Sequence, residues 1–506
     1  MRLDLGKKLV LACIAILIPW MGQAQDEQLP PIHLTLDKAI EIALSENPTI
    51  KVADLEIQKK KYAKQSTQSS LYPQIDAVGQ YSRAVKKQVM YMGGDDDSGG
   101  GMASMFGEIF TPIIGGTAAT LQQLHPDMDP NTLADNIQAI QDGMTSTSNS
   151  DEGITVGRDN TWTGGFQLNW PVVVPTLWKS IELSSIDVEL AVESARASKI
   201  NMINSVRKSY YQVLLAQDAR DVLQQSYDNA VDNYENTKRK FEQGVVSEFD
   251  MIRANVNAKN IKPNLVQAQN ALDLATLSLK AFMGIDMDQP IVITGSLLDY
   301  EEGLYGELMS INPSLEFNSD LKQFDLQTNM LQKTMELYKA QYYPTVAITG
   351  NYTWMSMNNN FKFGDYKWNP YSNVAISVSI PIFDGFKKRS DVRQTKVSLE
   401  QMKWQREDVV RNLNLAISNS INNMANYVEQ VISTRDVVEQ AQKGYEISQK
   451  LYDTGMGTIL ELNDAQLGLT QASLAYNQAI YNFLSSKADL DKTLGIDPTT
   501  ITENNK

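Results

Sequence analysis

The chain of 506 residues has very little of the chemistry on which enzyme sites depend. It contains one cysteine, Cys13, and two histidines, His33 and His125, which stand far apart in the sequence. Metal centres and acid–base sites usually need several such side chains close together, and these three cannot form such a cluster. No phosphate-binding loop or nucleophile elbow occurs either. We therefore expect no enzyme activity, no cofactor and no metal site.

Positive charge is also in short supply. The chain has 45 Lys and Arg against 60 Asp and Glu, a formal net charge of -15. Proteins that bind nucleic acid through the phosphate backbone need a basic face, so the acidic excess argues against a nucleic-acid partner.

Long apolar runs are missing except at the N-terminus, where a short one has the features of a secretory signal. Arg2, Lys7 and Lys8 precede an apolar stretch from Leu9 to Trp20, and a small-residue cleavage site ends at Ala24. That stretch is too short to span a bilayer as a helix. We predict a signal peptide over residues 1–24, and its removal would leave a mature chain without cysteine.

The chain contains an internal duplication. Gly244 and Gly284 recur as Gly455 and Gly495, in both cases 211 residues later. Earlier anchors follow in the same order, Asn47-Pro48 with Asn312-Pro313 and Pro73 with Pro344. We predict a first repeat over residues 25–300 and a second over residues 301–506. The first repeat has an insert at about residues 84–160, which includes the acidic run GGDDDSGGG and is interpreted as an outer loop.

Each repeat contains two segments in which apolar and polar residues alternate. The predicted apolar sets are Ile75, Ala77, Gly79 and Tyr81; Phe166, Leu168 and Trp170; Val346, Ile348, Tyr352 and Trp354; and Val374, Ile376, Val378 and Ile380. Membrane-barrel strands show this pattern, with the apolar side chains outside. A soluble antiparallel sheet with one solvent-exposed face shows the same alternation equally well. The pattern alone leaves both interpretations open.

Long helices with heptad spacing follow each pair of strands. One seam steps by four and three residues from Ala254 to Phe282, and its counterpart runs from Ala465 to Thr493. Many seam positions are Ala, Ser or Thr, which permits close packing among many helices. A helix from Trp178 to Glu242 would be on the order of 100 Å long, too long for a compact globule.

Four strands in hydrocarbon cannot close a barrel alone, because open sheet edges leave backbone groups unpaired and small barrels have about eight strands. Several chains would have to contribute equal arcs. The fold class we predict is mixed α and transmembrane β. Its four β-strands per chain enter a shared barrel that is continued by a long α-helical coiled-coil barrel.

The chain resembles a known family, the TolC-like outer-membrane efflux proteins. The similar segments are LTLDKAIEIALSENPTI, YPQIDAVGQY with YYPTVAITGNY, IPIFDGFKKRS, the two glycine turns and the LGID end at Leu494. The resemblance implies a homotrimer in the outer-membrane lipid, with a 12-strand barrel and a periplasmic helical part. It also implies an efflux duct for small molecules that works with a periplasmic adaptor and an inner-membrane pump.

The resemblance also implies sites at the helix turns. An aromatic residue and several acids would form the periplasmic constriction, matched here by Tyr452, Glu461, Asp464 and Asp250. The family's basic residue at this gate is replaced by Gly457, so any locking bond must differ. The acids also suit the first turn of a helix for purely structural reasons. The adaptor-facing tips would be Gly244, Val245 and Val246 in the first repeat, and Gly455, Met456 and Gly457 in the second.

Two alternatives remain at this stage. The same tube would serve as the duct of a type I protein secretion system, in which only the partners differ. A structural coiled-coil surface protein would explain secretion and heptads, although not the strand pairs found twice. The junctions between strand and helix should also differ between the repeats, because Pro175 stands where the second repeat has Gly385.

Overall fold

A computed structural model of the protein describes residues 30–90, 154–309 and 313–496, together with residues 135, 138 and 139. The predicted signal peptide, most of the insert and Asn312 lie outside the described residues. The chain divides into two compact units. The helical unit comprises the chain up to Thr67, Trp178–Gln341 and the chain from Phe383, and the sheet unit comprises Gln68–Leu177 and Tyr342–Ile382.

The first repeat has two short helices, a pair of long strands and two long helices. Its elements in chain order are β1 (Ile32–Leu34), α1 (Leu36–Glu46), α2 (Pro48–Ser69), β2 (Gln74–Arg83), β3 (Gln88–Met90), β4 (Ile154–Val156), β5 (Asn160–Val173), α3 (Pro175–Glu242), α4 (Glu248–Met283) and β6 (Ile291–Ile293). The break that the sequence predicts at Asn47-Pro48 separates α1 from α2.

The second repeat has the same succession of long elements. After a 3-10 turn at Leu297–Gly303 its elements are α5 (Leu304–Met309), α6 (Ser319–Ala340), β7 (Thr345–Asn358), a 3-10 turn at Phe363–Asp365, β8 (Asn369–Ser379), α7 (Lys387–Asp453) and α8 (Ile459–Leu494). α3 and α7 have 68 and 67 residues, and α4 and α8 have 36 each.

The four long strands form one antiparallel sheet in the order β2-β5-β7-β8. Its register brings Ile75, Leu168, Gly350 and Val374 onto one rung, and Asp76, Gln167, Asn351 and Asn373 onto the next. Successive residues of a strand point to opposite faces. All four predicted apolar sets therefore share one face, except Ile380, which follows the end of β8. The alternation predicted from the sequence is confirmed.

Two small pairings were not predicted. In the helical unit β1 and β6 form a parallel pair, and in the sheet unit β3 and β4 form an antiparallel pair at the base of the insert. The β1–β6 pair borders the main apolar core, in which Leu34, Val206, Tyr210 and Leu214 are fully or almost fully buried. Strands of three residues are too short to give a readable alternation.

The two junctions between strand and helix differ, as Pro175 and Gly385 led us to expect. In the first repeat a single residue separates β5 from α3, which begins at Pro175. Proline fits there because the first helical residue needs no backbone N–H bond. In the second repeat residues 380–386 separate β8 from α7, and the last two of them, Gly385 and Phe386, have positive φ angles of 66° and 67°.

The shorter helices of each repeat meet end to end. Asn47, just before α2, donates from Nδ2 to Phe282 O at 2.8 Å, and its Oδ1 accepts from Thr49 N. Asn318, just before α6, donates from Nδ2 to Thr493 O at 2.6 Å, and its Oδ1 accepts from Leu321 N. Asn47 and Asn318 are 271 residues apart, the same separation as Pro73 and Pro344. The structural counterpart of Asn47 is therefore Asn318 and not Asn312, as the shared Asn-Pro pair had suggested.

The heptad seams follow the predicted positions until the last turn. From Ala254 to Leu279 every predicted seam residue is buried or half-buried, but Phe282 is exposed and Met283 is buried instead. α8 shows the same slip, since Leu494 is more deeply buried than Thr493. A straight helix drifts by about 20° per heptad relative to a 3.5-residue repeat. Over four heptads this angular drift approaches the rotation of one residue, so the buried position moves one residue further along each helix.

Candidate functional site

The turn between α3 and α4 is closed by a left-handed glycine. α3 ends at Glu242, Gly244 has φ 76°, and Val245 N donates to Lys240 O at 2.8 Å. Such a positive φ is unfavourable for residues with a side chain, which explains the glycine. Val245 is exposed at the tip, and Val246 is half-buried.

The turn between α7 and α8 repeats this geometry with a tighter second step. Gly455 also has φ 76°, and the N–H groups of Met456 and Gly457 both donate to Leu451 O. A Cβ atom on Gly457 would lie 3.0 Å from Leu451 Cβ, so a larger residue there would require a small shift of the turn. Glycine suits this close approach, and Met456 remains exposed.

Two of the predicted gate acids take part in the capping arrangements of the returning helices. Ser247 precedes α4, and its hydroxyl accepts from Asp250 N and donates to Asp250 Oδ2 at 2.7 Å. Thr458 precedes α8 and forms a capping box with Glu461, whose Oε2 accepts from Thr458 N at 2.8 Å. Each arrangement satisfies backbone N–H groups that the helix leaves unpaired. Asp464 lies one turn further along α8 and is exposed.

Tyr452 lies in the last turn of α7 and is 5% exposed. Its hydroxyl is 2.6 Å from Thr237 Oγ1 of α3. Thr237 already donates to Asn233 O at 2.7 Å, so Tyr452 is the donor in this bond. The bond ties a helix of the second repeat to a helix of the first.

Lys240 adds a second tie at the same place. Its Nζ lies 4.4 Å from the centre of the Tyr452 ring, donates to Tyr452 O at 3.0 Å and lies 3.6 Å from Asp453 Oδ1. Asn236 also donates to Asp453 Oδ1, at 2.9 Å. The structure thus has a basic residue, Lys240, beside the aromatic ring of Tyr452, and α3 supplies it, not the turn that contains Gly457.

Sequence reasoning missed Lys240, Asn236 and Asp453 as site residues. The sequence offered one signal. Tyr227, Ala230, Tyr234 and Thr237 of α3 step by four and three residues like the predicted seams, and Lys240 lies three residues beyond Thr237. These contacts depend on how α3 is aligned beside α7. The spacing of apolar residues within one helix does not predict that alignment.

The surroundings of Tyr452 raise the pKa of its phenol and so favour the neutral form. Burial raises the pKa of Tyr452, the bond to Thr237 lowers it, and the negative charges of Asp250 and Asp453 raise it further. Burial also raises the pKa of Tyr445, which lies two helical turns earlier and bonds to Asn233. Uncharged tyrosines suit a seam in which a hydroxyl must donate.

The contacts at the turns join helices of the two repeats to one another. Of the predicted site residues, the structure brings Tyr452 and Asp250 into electrostatic contact, while Glu461 bonds within its own turn. Within the described ranges no group of three or more His, Cys, Asp or Glu is placed to hold a metal ion. In the same part of the chain no helix is both long and apolar enough to cross a bilayer.

The amphipathic antiparallel sheet and the pair of long helices that occurs in each repeat fit the class of outer-membrane channel proteins. The family model described as outer membrane efflux protein matches residues 140–285 and 311–496. The chain belongs to the outer membrane efflux protein family, which assigns it to the outer membrane.

Relatives and solved structures agree with this family. The chain is similar to the probable efflux pump outer membrane protein TtgC of Pseudomonas putida, with 23% identity over 63% of this chain and 65% of that protein. It is also similar to the outer membrane protein TolC of Escherichia coli, with 21% identity over 66% of this chain and 70% of that protein. The match to TtgC thus spans somewhat less than two thirds of its length.

The crystal structure of the Campylobacter jejuni CmeC outer membrane channel has the same fold. The TM-score is 0.63 at 16% identity, over 93% of this chain and 88% of that one.

Proposed function

We propose that this protein is the outer-membrane channel of a tripartite efflux system. It acts as a passive duct for small molecules such as drugs and toxic compounds, which leave through it from a periplasmic adaptor and an inner-membrane pump. The observation that supports this most strongly is the sheet register. It gathers the apolar side chains of four strands on one face and amides, hydroxyls and Asp76 on the other.

The outer strands of this sheet argue for assembly. In the described residues β2 pairs only with β5, and β8 only with β7. Unpaired strand edges are costly in hydrocarbon, and the exposed apolar side chains of Val374, Ile376 and Val378 suit β8 to an apolar surrounding. A homotrimer joins β8 of one copy to β2 of the next and closes a 12-strand barrel in the outer-membrane lipid. The long helices continue it as a periplasmic α-helical barrel.

The remaining sites follow from the same architecture. Tyr452, Glu461, Asp464 and Asp250 form the periplasmic constriction, where three copies turn each acid into a ring that favours cations. The exposed tips, with Val245 and Met456 at their ends, contact the adaptor. The signal peptide at residues 1–24 directs export, and residues 25–300 and 301–506 are two copies of one structural unit.

The printed names of the relatives support efflux as the activity. TtgC is described as a probable efflux pump outer membrane protein, and a second Pseudomonas putida relative as an antibiotic efflux pump outer membrane protein. We propose the same activity, efflux of small molecules, for this chain. The test must distinguish this activity from protein secretion.

Two measurements test the proposal. The mature protein, extracted from outer membranes in mild detergent, should have the mass of three chains and should conduct ions in a planar bilayer. A strain without the gene should become sensitive to toxic small molecules and recover with the wild-type gene. A folded monomer, or unchanged sensitivity together with loss of a secreted protein, would contradict efflux through a shared barrel.

A further inference from the structure

The sheet unit has almost no charge along its strands and a concentration of positive charge at one end. Within the four long strands only Asp76 and Arg83 are charged. At the end where β2 and β7 finish, residues 83–90, 154–159 and the β7–β8 loop (residues 359–368) contain six basic and two acidic side chains. The chain as a whole has the opposite balance. The six basic residues are Arg83, Lys86, Lys87, Arg158, Lys362 and Lys367.

The β7–β8 loop packs on the apolar face of the sheet at this end. Tyr81 and Trp162 lie opposite each other in the register, on the face that carries the predicted apolar sets. The ring of Phe361 lies 6.2 Å, centre to centre, from that of Tyr81, and the ring of Phe363 lies 5.5 Å from that of Trp162. Ser356 is next to Trp162 on the same face and is only 1% exposed. The loop therefore covers the end of the face that the proposed barrel turns to the lipid.

Tyr366 fixes the conformation of the β7–β8 loop. Its hydroxyl donates to Asn360 O at 2.7 Å, and its ring lies 5.1 Å from that of Phe363. At the start of the loop, Asn359 Oδ1 accepts from Asp159 N at 2.9 Å. Bonds at both ends of the loop thus hold the side chains between them in place.

The loop alternates aromatic and basic residues in the sequence FKFGDYKW, which begins at Phe361. Phe361 and Phe363 remain 53% and 60% exposed although they contact the sheet, and Trp368 is 48% exposed. Lys362 and Lys367 are exposed and form no ion pair with any residue in the described ranges. Segments at a membrane surface combine such groups, because aromatic rings lie at headgroup level and long basic side chains reach the phosphates.

Arg83 adds a basic side chain on the same face as the loop. It lies two residues beyond Tyr81 in β2, so both side chains point to the apolar face. It is exposed and has no ion-pair partner among the residues that the structure describes. Lys362 and Arg83 therefore flank the contact between Phe361 and Tyr81. A cation on a lipid-facing strand is costly in hydrocarbon and tolerated at the interface, so Arg83 marks the level at which headgroups begin.

We propose that Arg83, Lys362 and Lys367, together with the exposed aromatic rings of the β7–β8 loop, form a docking surface for the phosphorylated saccharide headgroup of a glycolipid in the outer leaflet. This rests on the proposed barrel, which turns the apolar face to lipid and this end of the sheet outward. It goes beyond the barrel because it assigns a class of lipid and the side chains that bind it.

Two features of the surface select this headgroup. Phosphate groups carry the negative charge that the three unpaired basic side chains complement. Sugar rings offer flat apolar faces that pack on exposed aromatic rings such as those of Phe361 and Phe363. A glycerophospholipid supplies the phosphate without the sugar ring, and it therefore satisfies only the first feature.

Native mass spectrometry of the mature protein in mild detergent, titrated with diphosphoryl lipid A, measures this binding. Each Lys or Arg beside an anionic headgroup contributes about a fivefold factor in affinity. The combined variant Arg83→Gln, Lys362→Gln and Lys367→Gln should therefore bind this lipid about a hundredfold more weakly than the wild type.

The matched control removes three positive charges from the helical unit. The variant Lys238→Gln, Lys259→Gln and Lys262→Gln changes exposed residues of α3 and α4 and should bind the lipid as the wild type does. Phosphatidylglycerol should bind the wild type more weakly than diphosphoryl lipid A, and inorganic phosphate in excess should displace neither lipid.

The outcomes separate this inference from the proposed function. Equal binding of diphosphoryl lipid A by the wild type and by the variant at Arg83, Lys362 and Lys367 overturns the docking surface, and so does an equal loss in the control variant. Displacement by inorganic phosphate, or equal binding of phosphatidylglycerol, overturns the assignment to a saccharide headgroup. Each of these results leaves a conducting trimer intact. A monomeric wild type overturns the barrel and this surface with it.

Discussion

Removing the Tyr452 hydroxyl should open the channel. Tyr452→Phe keeps the ring beneath Lys240 and the bond from Lys240 Nζ to Tyr452 O, and it deletes only the 2.6 Å bond to Thr237. A single buried hydrogen bond contributes about 0.5–1.5 kcal/mol to the state that contains it. If three chains open together, the closed state loses about 3 kcal/mol, or roughly a hundredfold in the closed-to-open ratio.

Single-channel recording in a planar bilayer measures this ratio as open probability. Thr237→Val removes the same bond from the other side and should give a shift of similar size. The double variant should open no further than Thr237→Val alone, because the two residues share one interaction. Tyr62→Phe is the matched control, since Tyr62 is a solvent-exposed tyrosine of α2.

The reasoning would be refuted by either of two results. Additive effects of Tyr452→Phe and Thr237→Val would mean that each acts through a different contact. A Tyr452→Phe channel with wild-type open probability would mean that the bond does not hold the closed state.

Three further predictions follow from the described contacts. Glu461→Gln keeps the capping box and removes a charge, so together with Asp464→Asn it should lower cation preference in bilayer recordings without lowering the melting temperature; unchanged selectivity would remove both acids from the constriction. Gly495→Ala should destabilise the protein more than Gly455→Ala in thermal unfolding. Both positions have a left-handed backbone costing about 1–2 kcal/mol for alanine, but only Gly495 has a backbone carbonyl, that of Phe317, where the new Cβ would lie. Burial raises the pKa of Tyr210 from 10.0 to about 12, so its contribution to stability is full below pH 10 and is lost as pH rises through 12. Circular dichroism at rising pH should show this loss in the wild type and a smaller one in Tyr210→Phe.

The sheet was predictable because its information is local. Alternation within each strand defines an apolar and a polar face. The register between the strands then keeps the apolar faces on one side of the sheet, as the rung of Ile75, Leu168, Gly350 and Val374 shows. Heptad spacing likewise predicted the seam that includes Ala254 and fails only at the final turn, where helical drift accumulates.

The contacts between repeats were not predictable from the sequence. Lys240 reaches Tyr452 across 212 residues of chain, and no pattern within α3 or α7 indicates how the two helices align. The Asn-Pro pair at 312–313 misled for a related reason. Asn312-Pro313 shares two letters with Asn47-Pro48 but not the structural role of Asn47. Asn47 caps α2 and bonds the end of α4, and Asn318 makes the equivalent bonds in the second repeat. The prediction that Glu461 and Asp464 line a constriction remains a prediction.

The end-to-end meeting of the shorter helices has a mechanical consequence. α3 and α7 are covalent rods of 68 and 67 residues, and twist applied at one end is transmitted through every peptide unit. α2 and α4 together form a column of comparable length, 22 and 36 residues, but the column is spliced, and one side-chain amide of Asn47 bridges the joint. The joint in each repeat therefore depends on the hydrogen bonds of one asparagine side chain, Asn47 or Asn318, whereas α3 and α7 run through without a joint.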